Sequence, residues 1–95
     1  MDNFIHVAGQ NQGKVVLYAL STCIWCRKTK NLLSSLGVEY DYCDVDQLTG
    51  DAQTETEAAI MKWNPKVSFP TMVINDQKCI VGFDEAKIKG ELGND

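Results

Sequence analysis

The sequence predicts an α/β fold, a four-stranded mixed sheet flanked by helices in the order β-α-β-α-β-β-α. Three observations carry this. "KVVLYAL", Lys14 to Leu20, is a near-continuous β-branched and apolar run, and it leads into a stretch whose apolar residues recur at helical spacing. "VEYDYCDV" follows as an alternating run, so strand, helix and strand form a crossover unit that favours a parallel pair. Near the C-terminus "TMVI" and "KCIV" flank the polar "NDQ", which reads as a hairpin and adds an antiparallel pair.

Element by element, Met1 to Gly13 is rich in Asn, Gln and Gly and reads as an N-terminal arm whose order composition leaves open; its "FIHV" has the makings of a short edge strand. Residues 14–95 form one domain. Lys14 to Leu20, apolar on both faces, is the first core strand. Ser21 and Thr22 offer capping hydroxyls for a helix that starts at the paired cysteines. Cys26, Thr29, Leu32, Leu33 and Leu36 line its inner face, Arg27, Lys28, Lys30, Asn31 and Ser34 its outer one, and Gly37 stops it. In the next strand Val38, Tyr40 and Tyr42 alternate with Glu39, Asp41 and Cys43, and the better-buried face is ambiguous near the end. Asp51 to Trp63 reads as a second helix, with Thr56, Ile60 and Trp63 on one face and Asn64-Pro65 ending it. After the hairpin, Gly82 breaks the strand and Asp84 caps a last helix carrying Ile88 and Leu92. This order is a thioredoxin-like layout.

Ninety-five residues leave no room for a second core of useful size. The 44% hydrophobic content belongs to a globular chain, and no apolar run reaches the length of a membrane span. "MDNFIHVAGQNQG" has neither the basic start nor the apolar stretch of a signal peptide, so the cytoplasm is the expected compartment. The net charge of −4 argues against a nucleic-acid partner held through phosphates. A monomer with no membrane partner is expected.

In a reducing compartment four cysteines do not predict a disulfide framework, so each is judged by its surroundings. "STCIWCRKTK", Ser21 to Lys30, puts Cys23 and Cys26 at a strand-to-helix junction. There unpaired N–H groups and the positive end of the helix dipole stabilise a Cys23 thiolate. Cys26, one turn into the helix and facing inward, is the resolving member. Arg27, Lys28 and Lys30 add a local positive field. No second Cys-x-x-Cys or Cys/His pair supplies zinc-ligand spacing, so no metal site is expected. Cys43 and Cys79, on strands, read as small apolar residues. Trp25 reads as an exposed aromatic that contacts a partner, Trp63 as core, and His6 as inert.

"SFPT", Ser68 to Thr71, precedes the third core strand. Pro70 at a strand's first position is tolerated on backbone grounds alone, whereas a cis Phe69–Pro70 bond would present the Phe69 backbone to an extended thiol or peptide substrate.

Taken together, "KVVLYALSTCIWCRKTKNLLSSLGVEYDYCDVD" and "SFPTMVINDQKCIVGFDEAKIKGEL" resemble the glutaredoxins, from Lys14 to about Leu92, and nearest to them the glutaredoxin-like group of methanogens and anaerobes. The resemblance implies that residues 14–95 are a glutaredoxin-like domain of thioredoxin fold, an enzyme reducing protein or small-molecule disulfides through a mixed disulfide. It implies that Cys23 attacks, Cys26 resolves, and cis-Pro70 faces them. It places the substrate contact at Phe69 beside Pro70, with Gly82, Phe83 and Asp84 receiving a glutathione carboxylate; Trp25, Arg27 and Thr71, next to these motifs, complete the expected substrate-binding set. The family's usual Pro-Tyr between the cysteines is Ile24-Trp25 here, Ala19-Leu20 stands where a basic residue is common, and Phe83 replaces the second glycine of Gly-Gly. The "GF" form resembles redoxins that serve ribonucleotide reductase and draw on a thioredoxin-reductase-type donor. No resident cofactor is implied, with glutathione or another low-molecular-weight thiol as co-substrate. The resemblance also carries an alternative. Some family members without proline after the first cysteine bridge a 2Fe–2S cluster between subunits, acting as cluster carriers or sensors, and that requires four sulfur ligands.

Overall fold

The computed structural model describes residues 4–93. Met1, Asp2 and Asn3 of the expected arm, and the last two residues of the expected domain, lie outside them. The elements run β1 (Ile5–Val7), β2 (Val15–Ala19), α1 (Ile24–Ser35), β3 (Tyr40–Asp44), a single 3₁₀ turn (Val45–Gln47), α2 (Gly50–Met61), β4 (Thr71–Ile74), β5 (Lys78–Val81) and α3 (Glu85–Leu92). The sheet order is β1-β3-β2-β4-β5, with β2 and β3 parallel and all other neighbours antiparallel.

The sheet therefore has five strands, one more than the four expected. The extra one is the "FIHV" stretch: Ile5–Val7 pairs antiparallel with Tyr40–Tyr42 at the sheet edge. Farther along, Gln10 donates its N–H to Gly37 (2.7 Å) and accepts from the Glu39 N–H (2.9 Å). Gly9 permits this approach, because a Cβ there would lie 2.7 Å from the Gly37 carbonyl oxygen. Three exposed or half-buried residues give too weak an alternation to settle a strand by composition.

Burial in β2 alternates strictly, with Val15, Leu17 and Ala19 turned to one face. They meet Cys26 and Leu33 of α1, Ile88 and Leu92 of α3, and Val38, Tyr40, Met72, Ile74 and Ile80 in the main core. On the opposite face Cys43, Val45 and Ile60 of α2 form a smaller cluster with Phe4, Tyr18, Leu20 and Phe69 against it. This resolves the ambiguity in β3. Both of its faces are buried, but under different helices.

Gly37, with φ of +70°, ends α1 as expected. The Gly37 N–H bonds to Ser34 O (3.1 Å) and the Val38 N–H to Leu33 O (3.1 Å), a Schellman closure that turns the chain back to the sheet. In the hairpin, Asn75 and Asp76 both take positive φ, which short polar side chains tolerate, and the Gln77 N–H closes on Ile74 O at 3.0 Å. Trp63 is half-buried rather than core. It lines a cavity of about 150 Å³ with Phe4, Tyr18 and Val73, because α2 stops at Met61 and leaves part of that sheet face uncovered. Among the described residues no helix is long and apolar enough to cross a membrane.

Candidate functional site

The parallel β2 strand ends at Ala19, and four residues, Leu20 to Cys23, carry the chain to α1. The helix is capped by Cys23 itself, where Ser21 or Thr22 was expected. Its backbone is extended (φ −88°, ψ 122°), and its Sγ accepts the Cys26 N–H at 3.3 Å. The first cysteine thus occupies the position at which unpaired amide donors converge. Ser21 instead ties the loop to the 3₁₀ turn after β3, donating its N–H (2.8 Å) and its hydroxyl (2.5 Å) to the Asp46 carboxylate, while Gln47 donates to Ser21 Oγ at 3.0 Å. These bonds hold the Asp46 carboxyl below its ordinary range. Asp46 escaped sequence reasoning because its partner lies 25 residues away and depends on the β2–β3 pairing.

The two thiols differ sharply. Burial works to raise the Cys23 thiol, but hydrogen bonds from the Cys26 thiol and from the Cys26 and Trp25 amides outweigh it, leaving Cys23 below the ordinary thiol value. Cys26 is fully buried and pushed up to about 12, first by burial and then by its bond and charge relation to Cys23, against opposing effects of the Leu20 N–H and Lys30. The Leu20 N–H lies 3.4 Å from Cys26 Sγ. A negative charge on Cys23 makes the Cys26 proton harder to remove, because two thiolates would lie side by side. Alkylation by iodoacetamide is therefore expected to modify Cys23 with an apparent midpoint below that of a free thiol, while Cys26 stays unmodified between about pH 7 and 8. Equal labelling of both cysteines, read by peptide mass spectrometry, would contradict the asymmetry.

The other expected site residues fall into two groups. Trp25, Phe69, Pro70, Gly82 and Phe83 line one groove of about 240 Å³. The Phe69–Pro70 peptide bond is cis. Trp25, 52% exposed at the tip of α1, stacks on Phe83 (centroids 6.1 Å apart, planes at 26°), and the Lys28 ammonium sits 4.6 Å from the Trp25 ring. The Gly82 N–H bonds to Pro70 O at 2.8 Å, pinning the loop after β5 to the cis-proline turn, and its φ of +82° suits glycine. Asp84 caps α3, and its carboxylate already accepts the Lys87 N–H at 3.1 Å. Arg27 lies exposed on the outer face of α1.

Thr71 is not in the groove lining. Its hydroxyl is buried, donating to Ser68 O (2.7 Å) and accepting from Asn64 Nδ2 (3.1 Å). Asn64 also donates to Ser68 O and Oγ, so one buried amide braces the turn that holds Phe69 and Pro70. The sequence reading took Asn64 only as a helix stop; the buried network it builds has no signature in a linear pattern. Cys43 is buried in the second core, its thiol raised by burial and then by Asp44, and the half-buried Cys79 is raised by burial alone. His6 is exposed on β1, with Nδ1 2.7 Å from an Asp41 carboxylate oxygen. Among the described residues no group of three or more His, Cys, Asp or Glu side chains could hold a metal ion.

This arrangement matches known proteins. The family model for glutaredoxin matches residues 15–80. A glutaredoxin-like 8.6 kDa protein in the rubredoxin operon of Clostridium pasteurianum is 34% identical over 74 residues, spanning 78% of this chain and 91% of that protein. Among solved structures, the glutaredoxin of Methanosarcina mazei Go1 is 52% identical with a TM-score of 0.89, covering 98% of this chain and 90% of that one. Methanoredoxin of Methanosarcina acetivorans is 47% identical with a TM-score of 0.88, covering 92% of each chain.

Proposed function

The chain belongs to the glutaredoxin family, and on that premise we propose that it is a dithiol disulfide reductase in which Cys23 attacks and Cys26 resolves. The observation that carries this is the unequal pair at the head of α1: one thiol at the helix cap, lowered and half-buried, the other fully buried and raised. A thiolate is the attacking species in exchange, so the lowered thiol attacks a substrate disulfide sulfur and forms a mixed disulfide. Cys26 then attacks Cys23 Sγ, the Cys23–Cys26 bond forms, and the substrate thiol leaves with the electron pair. An external donor returns the pair to the dithiol.

The groove beside Trp25 supports binding of an extended thiol or peptide. Trp25, Phe69 and Phe83 give it an aromatic lining, and Gly82 borders it without a side chain. Ile24, 61% exposed, and Trp25 together form an apolar tip that favours a protein disulfide. Trp25→Ala is expected to raise KM for a protein disulfide about threefold to tenfold with little change in kcat; an unchanged KM would remove Trp25 from the binding surface.

The donor is tested directly. Oxidised protein is offered glutathione, other small thiols and a thioredoxin reductase in parallel, and reduction by one of them is expected. Failure of all three rejects the reading. The cluster alternative makes a different demand: buried Cys26 does not point outward, so one protomer offers only Cys23, and two protomers would recruit two external thiols to reach four sulfur ligands. Purification under anaerobic conditions separates the two, since a brown dimer with visible charge-transfer bands would favour the cluster.

A further inference from the structure

We infer that Lys30, pinned by Asp44, promotes the second half of the exchange by stabilising Cys26 as it becomes the attacking thiolate. This rests on the dithiol reading above, and adds to it the group that activates the resolving thiol.

The placement follows from three contacts at one end of the sheet. The sequence reading set Lys30 on the outer face of α1 with Arg27 and Lys28, but it is half-buried: it lies four residues after Cys26, so the two are neighbours on the helix, and side chains on a helix lean towards its N-terminus, which brings Lys30 back towards Cys26. Lys30 Nζ is fixed 2.9 Å from Asp44 Oδ1 and 4.1 Å from the centroid of the Tyr42 ring. Asp44 sits opposite Ala19 in the parallel β2–β3 register, and the next residue, Leu20, donates its N–H towards Cys26 Sγ at 3.4 Å. The ammonium and the buried sulfur therefore both lie at the C-terminal end of the two strands. Lys30 is also half-buried with Asp44, so its charge is less screened than those of Arg27 and Lys28 on the outer face.

The chemistry needs such a charge. In the reduced protein Cys26 is raised by burial and by Cys23; once Cys23 is bonded to the substrate sulfur, its own charge is gone. The Leu20 N–H and Lys30 then oppose burial. From α3 and β4 this core receives Ile88, Leu92 and Met72, none of which is titratable; from β3 it receives Tyr40 and the half-buried Tyr42, and Asp44 stands beside them as the partner of Lys30. In the step itself Cys26 gives its proton to solvent and the thiolate attacks Cys23 Sγ. The bond between Cys23 and the substrate sulfur breaks, and that sulfur leaves with the electron pair and takes a proton from solvent. Lys30 and Asp44 are positioning residues, acting through Cys26.

The test is stopped-flow reaction of the reduced protein with one equivalent of 5,5′-dithiobis(2-nitrobenzoate). The first thionitrobenzoate released reports attack by Cys23, the second reports resolution by Cys26. Lys30→Gln is expected to leave the first phase within about twofold, slow the second about tenfold at pH 7, and move its pH midpoint upward; Lys30→Arg restores the rate. Lys30→Gln/Asp44→Asn removes the stranded carboxylate and is expected to stay slow. A second phase with unchanged rate and pH profile in Lys30→Gln, or full recovery in the double variant, overturns the inference. Absence of the first phase in the wild-type protein would instead reject the dithiol reading itself.

Discussion

Cys23→Ser is expected to abolish disulfide reduction, by about 10³-fold or more, whereas Cys26→Ser stops the protein after its first half-reaction. The difference follows from position. A serine hydroxyl at the helix cap keeps the bond to the Cys26 N–H but is almost wholly protonated at neutral pH, so no nucleophile of comparable strength remains. In Cys26→Ser the attacking thiol persists, loses its internal partner, and accumulates as a mixed disulfide with the substrate. Intact-mass measurement after reaction with a protein disulfide should show the adduct in Cys26→Ser and none in Cys23→Ser. Multiple turnovers of Cys26→Ser without a trapped adduct would show that an external thiol resolves the intermediate and that Cys26 is dispensable.

That asymmetry comes from the fold. A parallel β2–α1–β3 unit brings the loop Leu20 to Cys23 to the carboxyl end of the strands, and α1 then buries its first inward residue, Cys26, against Ala19 and Leu33. Cys23 is half-exposed because it caps the helix from outside its first turn, and Cys26 is buried because it is the first residue of α1 turned towards the sheet. Hydrogen bonding at the cap stabilises the thiolate of the first, while loss of water disfavours that of the second. The cis-proline turn and the loop after β5 close the same end of the sheet, tied by the Gly82–Pro70 bond and braced from below by Asn64.

What could be read from the sequence was what depends on neighbours along the chain. The strand at Lys14 to Leu20, the helix end at Gly37, the hairpin around Asn75 and the cap at Asp84 each rest on a pattern within a few residues, and each lies where expected. The place of the paired cysteines at the head of a helix was legible for the same reason, since a strand, two cysteines and a helix follow one another directly. What stayed hidden depends on register. Ser21 meets Asp46, Lys30 meets Asp44 and Asn64 meets Thr71 only once β2, β3 and β4 are aligned. Trp63 is a subtler case. Its spacing from Ile60 is helical, but α2 ends before reaching it, so the stripe predicted more burial than the sheet provides.

The largest loss of stability is expected at Leu17, and it bears on function because the site has no independent support. Leu17 is fully buried at the middle of the central strand, opposite Tyr42 on one side and Met72 on the other. It belongs to the core that seats both α1 and α3. Leu17→Ala removes that contact area and leaves a cavity that neighbouring strands cannot close without breaking their ladders, a cost of about 3–4 kcal/mol. A domain of this size has a total of roughly 5–15 kcal/mol, so the melting temperature should fall by roughly 15–20 °C. Val81→Ala, on the edge strand and about half-exposed, should change stability by less than about 0.5 kcal/mol. Equal losses in the two variants, measured by urea denaturation, would place the core elsewhere. At temperatures where Leu17→Ala is still folded, Cys23 should alkylate at nearly the wild-type rate, because its ionisation is set at the helix cap and by Cys26, not by Leu17.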